Sequence, residues 1–222
     1  QCWGNPIYNW KVMQNEDFSW WIRRMNTLGQ LFDIVRLTHF RGFKKCWAIP
    51  RSFESSPVPN TGHWEDVPGE SLFETVQHTH NINTIPLWVA ENISAPTKVA
   101  TEVEALRTRF EIPQIKILQL AFDMSNLRNV HFPHHYHLSD VVYTGTHDSR
   151  TTLDWFTGLE KEENDWTKPE KRRIRKQQVC EYLNAKPEEM PWPLIKALFA
   201  SFAKLAIIPM QDILGLEGKE NR

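Results

Sequence analysis

The chain has 222 residues, 41% of them hydrophobic, and its 26 Lys+Arg against 27 Asp+Glu leave a formal net charge of −1. This is the composition of a soluble, near-neutral globular protein, with no field of one sign to favour nucleic acid or an anionic membrane surface. The longest apolar stretches, residues 85–90 and 116–122, fall far short of the ~18 consecutive apolar residues needed to cross a bilayer, so no membrane partner is expected.

The N-terminal Gln1-Cys2-Trp3-Gly4-Asn5-Pro6 has neither an initiator Met nor the charged-then-apolar pattern of a signal peptide, and it reads as the start of a piece of a longer protein. The first strand is expected over residues 31–37, apolar and rich in β-branched residues. Residues 52–60, with Pro57 and Pro59, read as a loop. A second buried strand follows over 85–91, and a helix over 102–110 with Val103, Leu106 and Phe110 on one face. Strands over 115–122 and 141–147 come next, then a polar loop over 160–168 and a helix over 171–183. A helix over 193–205 starts on a proline and carries Leu194, Leu198 and Phe202. A fifth strand is expected over 206–214. Strand and helix in alternation argue for an α/β protein with a parallel sheet, a single unit over 1–222. Five strands are fewer than the eight of a closed barrel, which typically takes ~250 residues, so the sheet should end in open edges.

Three other features have plain structural readings. Cys2, Cys46 and Cys180 are far apart with no CxxC pair, which argues against a disulfide framework or zinc ribbon and suits a reducing cytosol. Lys171, Arg172, Arg173, Arg175 and Lys176 form a solvated helix face beside the acidic run 160–165 rather than a phosphate site. His131, His134, His135 and His137 match no zinc spacing, so no metal and no cofactor are expected. Ten Trp are many for this length, and their faces suit core packing or stacking on sugar rings.

In a parallel α/β barrel, functional side chains project from the C-terminal strand ends. Here those ends read Val35-Arg36-Leu37-Thr38-His39-Phe40-Arg41-Gly42, Val89-Ala90-Glu91-Asn92 and Thr144-Gly145-Thr146-His147-Asp148. An arginine, a glutamate and a His-Asp pair at one end of a sheet are the layout expected for glycosidic-bond chemistry, which uses an acid/base carboxyl, a second carboxylate and groups that stabilise an oxocarbenium ion.

Nine ordered segments make the pattern specific. They are Trp3-Gly4-Asn5-Pro6-Ile7-Tyr8-Asn9-Trp10, Trp20-Trp21-Ile22-Arg23-Arg24, Phe32-Asp33-Ile34-Val35-Arg36-Leu37, His39-Phe40-Arg41-Gly42-Phe43 and Pro68-Gly69-Glu70. Then come Glu102-Val103-Glu104-Ala105-Leu106-Arg107, Leu118-Gln119-Leu120-Ala121-Phe122-Asp123, the run 141–148 ending in His147-Asp148, and Pro209-Met210-Gln211-Asp212-Ile213-Leu214. Together they resemble the C-terminal part of the catalytic barrel of the amylomaltase, or disproportionating enzyme (4-α-glucanotransferase), family. The resemblance implies a partial (β/α)8 TIM barrel of about five βα units, within the α-amylase superfamily. It implies cofactor-independent transfer of α-1,4-glucan segments between maltodextrins by a retaining mechanism. On it, Glu91 would be the general acid/base, His147 with Asp148 would grip the ring and stabilise the transition state, and Arg36 would orient the nucleophile. His39, Trp3 and Asn5 would belong to the substrate-binding surroundings.

Three departures qualify the resemblance. The family places an aspartate between the Arg-x and His-Phe-Arg-Gly portions of this motif, and this chain has Thr38; a threonine hydroxyl is short and a poor nucleophile without an adjacent base. Asp33 offers no substitute, since an offset of five residues puts it on the opposite strand face. Asn92-Ile93-Ser94 follows Glu91 where the family has Asp-Leu-Gly, removing an anion that helps set the protonation of Glu91. Ser149-Arg150 replaces Asn-Asp after the His-Asp pair. The leading expectation is therefore a family member impaired in catalysis. The alternatives are a non-catalytic glucan-binding protein and a module whose open edges pair with a missing N-terminal half-barrel or with another copy.

Overall fold

Helix and strand alternate along the chain as the apolar runs require, in a computed structural model that describes residues 5–50, 61–79, 86–91, 98–122, 128–159 and 169–218. Two units result, Gln1–Pro113 and Gln114–Arg222.

In the first unit, helix α1 (Trp10–Asn15) begins at Asn9, whose side-chain oxygen accepts from the Val12 N–H at 3.3 Å. Helix α2 (Ser19–Leu31) buries Trp21 and Met25, one turn apart on the same face. Strand β1 (Ile34–Leu37) comes next, then the antiparallel hairpin of β2 (Lys45–Ala48) and β3 (His63–Asp66), helix α3 (Gly69–His78) and strand β4 (Leu87–Ala90). β4 pairs in parallel with β1, Ile34 opposite Leu87 and Leu37 opposite Ala90. Helix α4 (Lys98–Arg109) follows.

The centre of this unit is aromatic. Phe73 on α3 lies with its ring centroid 5.2 to 5.8 Å from those of Phe40, Phe43, Trp88 and Phe110. Leu72 and Val76 enter from the same helix and Val103 and Leu106 from α4. Offset and edge-on ring contacts of this kind each stabilise by about 1 kcal/mol beyond the area they bury. Gly69 opens α3 where a Cβ would collide with the Phe43 carbonyl, so the Pro68-Gly69-Glu70 segment marks a close approach of two backbones.

In the second unit, β5 (Ile115–Ile117), β6 (Val141–Tyr143) and β7 (Leu205–Ile207) form a parallel sheet in that order. Helix α5 (Thr152–Gly158), α6 (Pro169–Leu183) and α7 (Trp192–Phe199) lie between β6 and β7 in sequence, and α8 (Met210–Ile213) follows β7. Ile115, Ile117 and Val142 are almost wholly buried, as parallel strands covered on both faces must be. Phe122, Phe132, Phe156, Val179, Leu194 and Leu198 fill the core beside them.

The fold is thus α/β with parallel strands, and five of its strands overlap the five expected. The differences have local causes. Residue 31 closes α2 rather than opening β1. The expected strand 115–122 turns into a 3-10 helix at Leu118–Leu120. The expected helix 193–205 ends at Phe199, so Phe202 lies beyond it and is 79% exposed. The expected strand 206–214 stops at Ile207, because Pro209 has no N–H to give a ladder, and Pro209 caps α8 instead. The sequence pattern predicts neither α1, α2, α3, α5 and α8 nor the β2–β3 hairpin. Among the described residues no helix is long and apolar enough to cross a membrane.

Candidate active site

The ends of β1 and β4 are stitched together beyond the ladder. Glu91 N–H donates to the Leu37 carbonyl and Phe40 N–H to the Glu91 carbonyl, both at 3.0 Å. This fixes the backbone of Glu91, and its side chain is only 8% exposed. Arg36 supplies the counter-charge, with Nη2 2.8 Å from Glu91 Oε2 and Nε donating to the same oxygen at 3.2 Å. A buried carboxylate is retained at low cost only when paired in this way.

Thr38 is the first residue beyond β1, and it is exposed. His39 follows, also exposed, with φ 52°, a left-handed conformation uncommon for a side chain other than glycine and typical of strained functional turns. A 3-10 helix, Phe40–Phe43, then brings the Arg41 guanidinium over the Trp64 ring at 4.6 Å. Trp64 of β3 meets Trp47 of β2 edge to face at 5.2 Å, leaving two half-exposed indoles on the hairpin. Sequence reading missed this pair because its residues belong to a hairpin that no periodicity announced.

Asn5 is exposed, whereas Trp3 lies outside the described residues. Of the same segment, Tyr8 and Trp10 join Trp20 and Trp21 in a ring cluster.

In the second unit, the loop after β6 carries His147 and Asp148. Their side chains are 73% and 76% exposed, with His147 Nε2 3.4 Å from Asp148 Oδ2. The turn is closed by Ser149 N–H donating to the Thr146 carbonyl at 3.0 Å and by Thr146 N–H donating to Ser149 Oγ at 3.1 Å. Arg150, the cation that departs from the family pattern, has its Nε 3.9 Å from Asp154 Oδ2.

The histidines split by environment. His131 is buried, its Nδ1 accepts from the Ile117 N–H at 3.1 Å, and burial together with the Lys116 ammonium pushes its pKa down to about 4. His134, His135 and His137 are exposed. Among the described residues no three His, Cys, Asp or Glu side chains are grouped to hold a metal. The arrangement offers a fixed buried carboxylate with a guanidinium on it, and a separate exposed His-Asp pair. Both follow the C-terminal ends of parallel strands, where α/β proteins place their chemistry.

A family model described as 4-alpha-glucanotransferase, of glycoside hydrolase family 77, matches residues 1–222. The 4-alpha-glucanotransferase of Thermus thermophilus is 40% identical over 226 residues, covering 100% of this chain and 41% of that protein. The chloroplastic/amyloplastic 4-alpha-glucanotransferase of Solanum tuberosum is 40% identical over 224 residues, with 35% of its own length covered. Among solved structures, an amylomaltase from Streptococcus agalactiae in complex with acarbose superimposes with a TM-score of 0.78 at 28% identity, over 97% of this chain and 39% of that one. The chain spans about two fifths of the length of the Thermus relative.

Proposed function

We propose that this chain, which belongs to the 4-alpha-glucanotransferase family, supplies part of a site for moving α-1,4-glucan segments between maltodextrins, with the attacking carboxylate lost at Thr38. Residues 1–222 are read as one C-terminal portion of a (β/α)8 catalytic barrel. Five parallel strands among the described residues fall short of eight. Full catalysis would then draw on the further length that the relatives possess.

Retaining transfer takes two displacements. A carboxylate attacks the anomeric carbon while an acid protonates the departing glycosidic oxygen, and the same residue, now a base, takes the proton of the acceptor hydroxyl that releases the glycosyl ester. Glu91 is assigned the acid/base role, and Asp148 with His147 the binding of the reacting ring and the stabilisation of its positive charge. Arg36 is assigned the orienting role, and His39, Asn5 and Trp3 contacts with substrate. Thr38 stands where the nucleophile belongs and offers no carboxylate to form the ester, so the first displacement fails. The cytosol or a plastid is the proposed compartment.

The observation that carries this reading is the Arg36–Glu91 pair at the joined ends of β1 and β4, directly beside Thr38. The experiment is incubation of the chain with maltotriose. No glucose or longer maltodextrin should appear; transfer at the rate of a Thermus-type relative would refute the assignment of Thr38. A second reading, a glucan-binding protein without catalysis, draws on the half-exposed Trp47–Trp64 pair, and titration with acarbose tests it.

A further inference from the structure

Three segments that look unrelated in sequence meet at one buried carboxylate. Asp212, in the first turn of α8, is 1% exposed, and both of its oxygens are occupied. Oδ1 accepts from the Thr152 backbone N–H at 2.6 Å. Oδ2 accepts from Thr152 Oγ1 at 2.7 Å and from Thr144 Oγ1. Thr144 and Thr152 are fully buried, and they are the two feet of the loop that displays His147 and Asp148.

Gln119, just beyond β5, fixes the direction of this network. Its Nε2 donates to the Arg150 carbonyl at 3.1 Å and to Thr152 Oγ1 at 3.2 Å, which uses both amide hydrogens. The Thr152 hydroxyl must therefore pass its own proton to Asp212, as must that of Thr144. Only a group that accepts at both oxygens fits, and that is a carboxylate. Gly145 belongs to the same device, since a Cβ there would lie 2.6 Å from Gln119 Nε2. On the outer side, Thr151 Oγ1 donates to the Leu216 carbonyl at 2.6 Å and accepts from the Asp154 N–H, capping α5.

From this geometry we infer that Asp212 is a positioning residue: its carboxylate clamps both feet of the 144–152 loop and so holds His147 and Asp148 where a sugar ring can meet them. The inference rests on the glucan reading only for the identity of the ligand. Side chains 73% and 76% exposed have no packing of their own to fix them, so their placement depends on the loop beneath.

An asparagine at 212 cannot reproduce the clamp in either amide orientation. With its NH2 toward the hydroxyls, Thr152 Oγ1 faces two donors and its own proton has no acceptor. With the NH2 reversed, it faces the Thr152 N–H. The test compares the chain with its Asp212→Asn, Thr152→Val and Thr152→Ser variants. It reads the backbone resonances of His147, Asp148 and Ser149, the hydrogen exchange of the Thr152 amide, and the affinity for acarbose.

Asp212→Asn should speed Thr152 exchange and weaken acarbose binding by about tenfold each, in line with the loss of one buried charge-assisted bond. It should move the three loop resonances while those of Val142 and Phe156 stay in place. Thr152→Val should act in the same direction and Thr152→Ser should restore all three readouts. Should Asp212→Asn fail to fold, the Thr152 pair carries the comparison alone. Unmoved loop resonances in Asp212→Asn, or in Thr152→Val where the former does not fold, or a Thr152→Ser variant that behaves like the valine, would overturn the inference. Failure of the unmodified chain to bind acarbose would instead count against the glucan reading, with the resonances and exchange still deciding the clamp.

Discussion

Arg36 and Glu91, 55 residues apart in sequence, meet across the ends of two parallel strands with Nη2 and Oε2 at 2.8 Å. On the family pattern this guanidinium would serve a carboxylate at position 38. In this chain, with Thr38 there, the guanidinium is engaged by Glu91.

The pair should be costly to break from one side. Arg36→Ala leaves the Glu91 carboxylate buried without its cation, an expected loss of about 2–3 kcal/mol. Glu91→Gln should cost less, since an amide oxygen can still accept from Arg36. In urea unfolding, Arg36→Ala with Glu91→Gln should be less destabilising than the sum of the two single changes, by about 1–2 kcal/mol. Strict additivity would mean that the two side chains do not interact in solution.

Stability should fall with acid through His131. The folded protein keeps this ring neutral, with its pKa lowered to about 4, because burial disfavours the charged form and protonation would place a second cation by Lys116. The unfolded chain takes up its proton near pH 6.5. Between those values the unfolded state binds more protons, so stability is full above about pH 6.5, declines as pH falls, and has lost up to about 3 kcal/mol by pH 4. The imidazole carbon resonance of His131 should titrate with a midpoint near 4; a midpoint near 6.5 would contradict the burial on which the prediction stands.

Gly69→Ala should destabilise the first unit. The added methyl meets the Phe43 carbonyl, backbone that cannot swing aside as a side-chain tip would, and overpacking of this kind typically costs about 1–3 kcal/mol. Gly42→Ala is the control, since a Cβ there meets nothing within 4 Å. A thermal melt showing equal change for the two would contradict the Phe43 contact as the source of the cost.

The parallel strands were legible because Ile34-Val35, Val89, Ile115, Ile117 and Val141-Val142 are β-branched, and all of these but Ile34 and Val35 are buried. Helix α4 was legible because Val103, Leu106 and Phe110 recur at helical spacing. Helix α2 hid behind its aromatic content: Trp20-Trp21 reads as a motif before it reads as a helical face, and Phe18 before it enters the helix in a left-handed conformation with no side-chain cap. The apolar residues of 206–214 suggest one continuous strand, but Pro209 cannot extend it and opens α8. Arg36 and Glu91 could be placed from strand-end logic. Asp212 could not, because its partners Thr144, Thr152 and Gln119 are ordinary polar residues until the fold assembles them, and Trp47 and Trp64 pair only once a hairpin joins them.

Whether loss of the carboxylate at position 38 blocks transfer is decided by a two-by-two assay. The chain and its Thr38→Asp variant are each measured for glucose and longer maltodextrins released from maltotriose, alone and fused to the remaining segments of the Thermus relative. Transfer is expected only from the fused Thr38→Asp protein, because a nucleophile must be present and the site's remaining walls must hold it to within ~0.5 Å. Transfer by the fused protein that keeps Thr38 would contradict that expectation, showing that another carboxylate reaches the anomeric carbon.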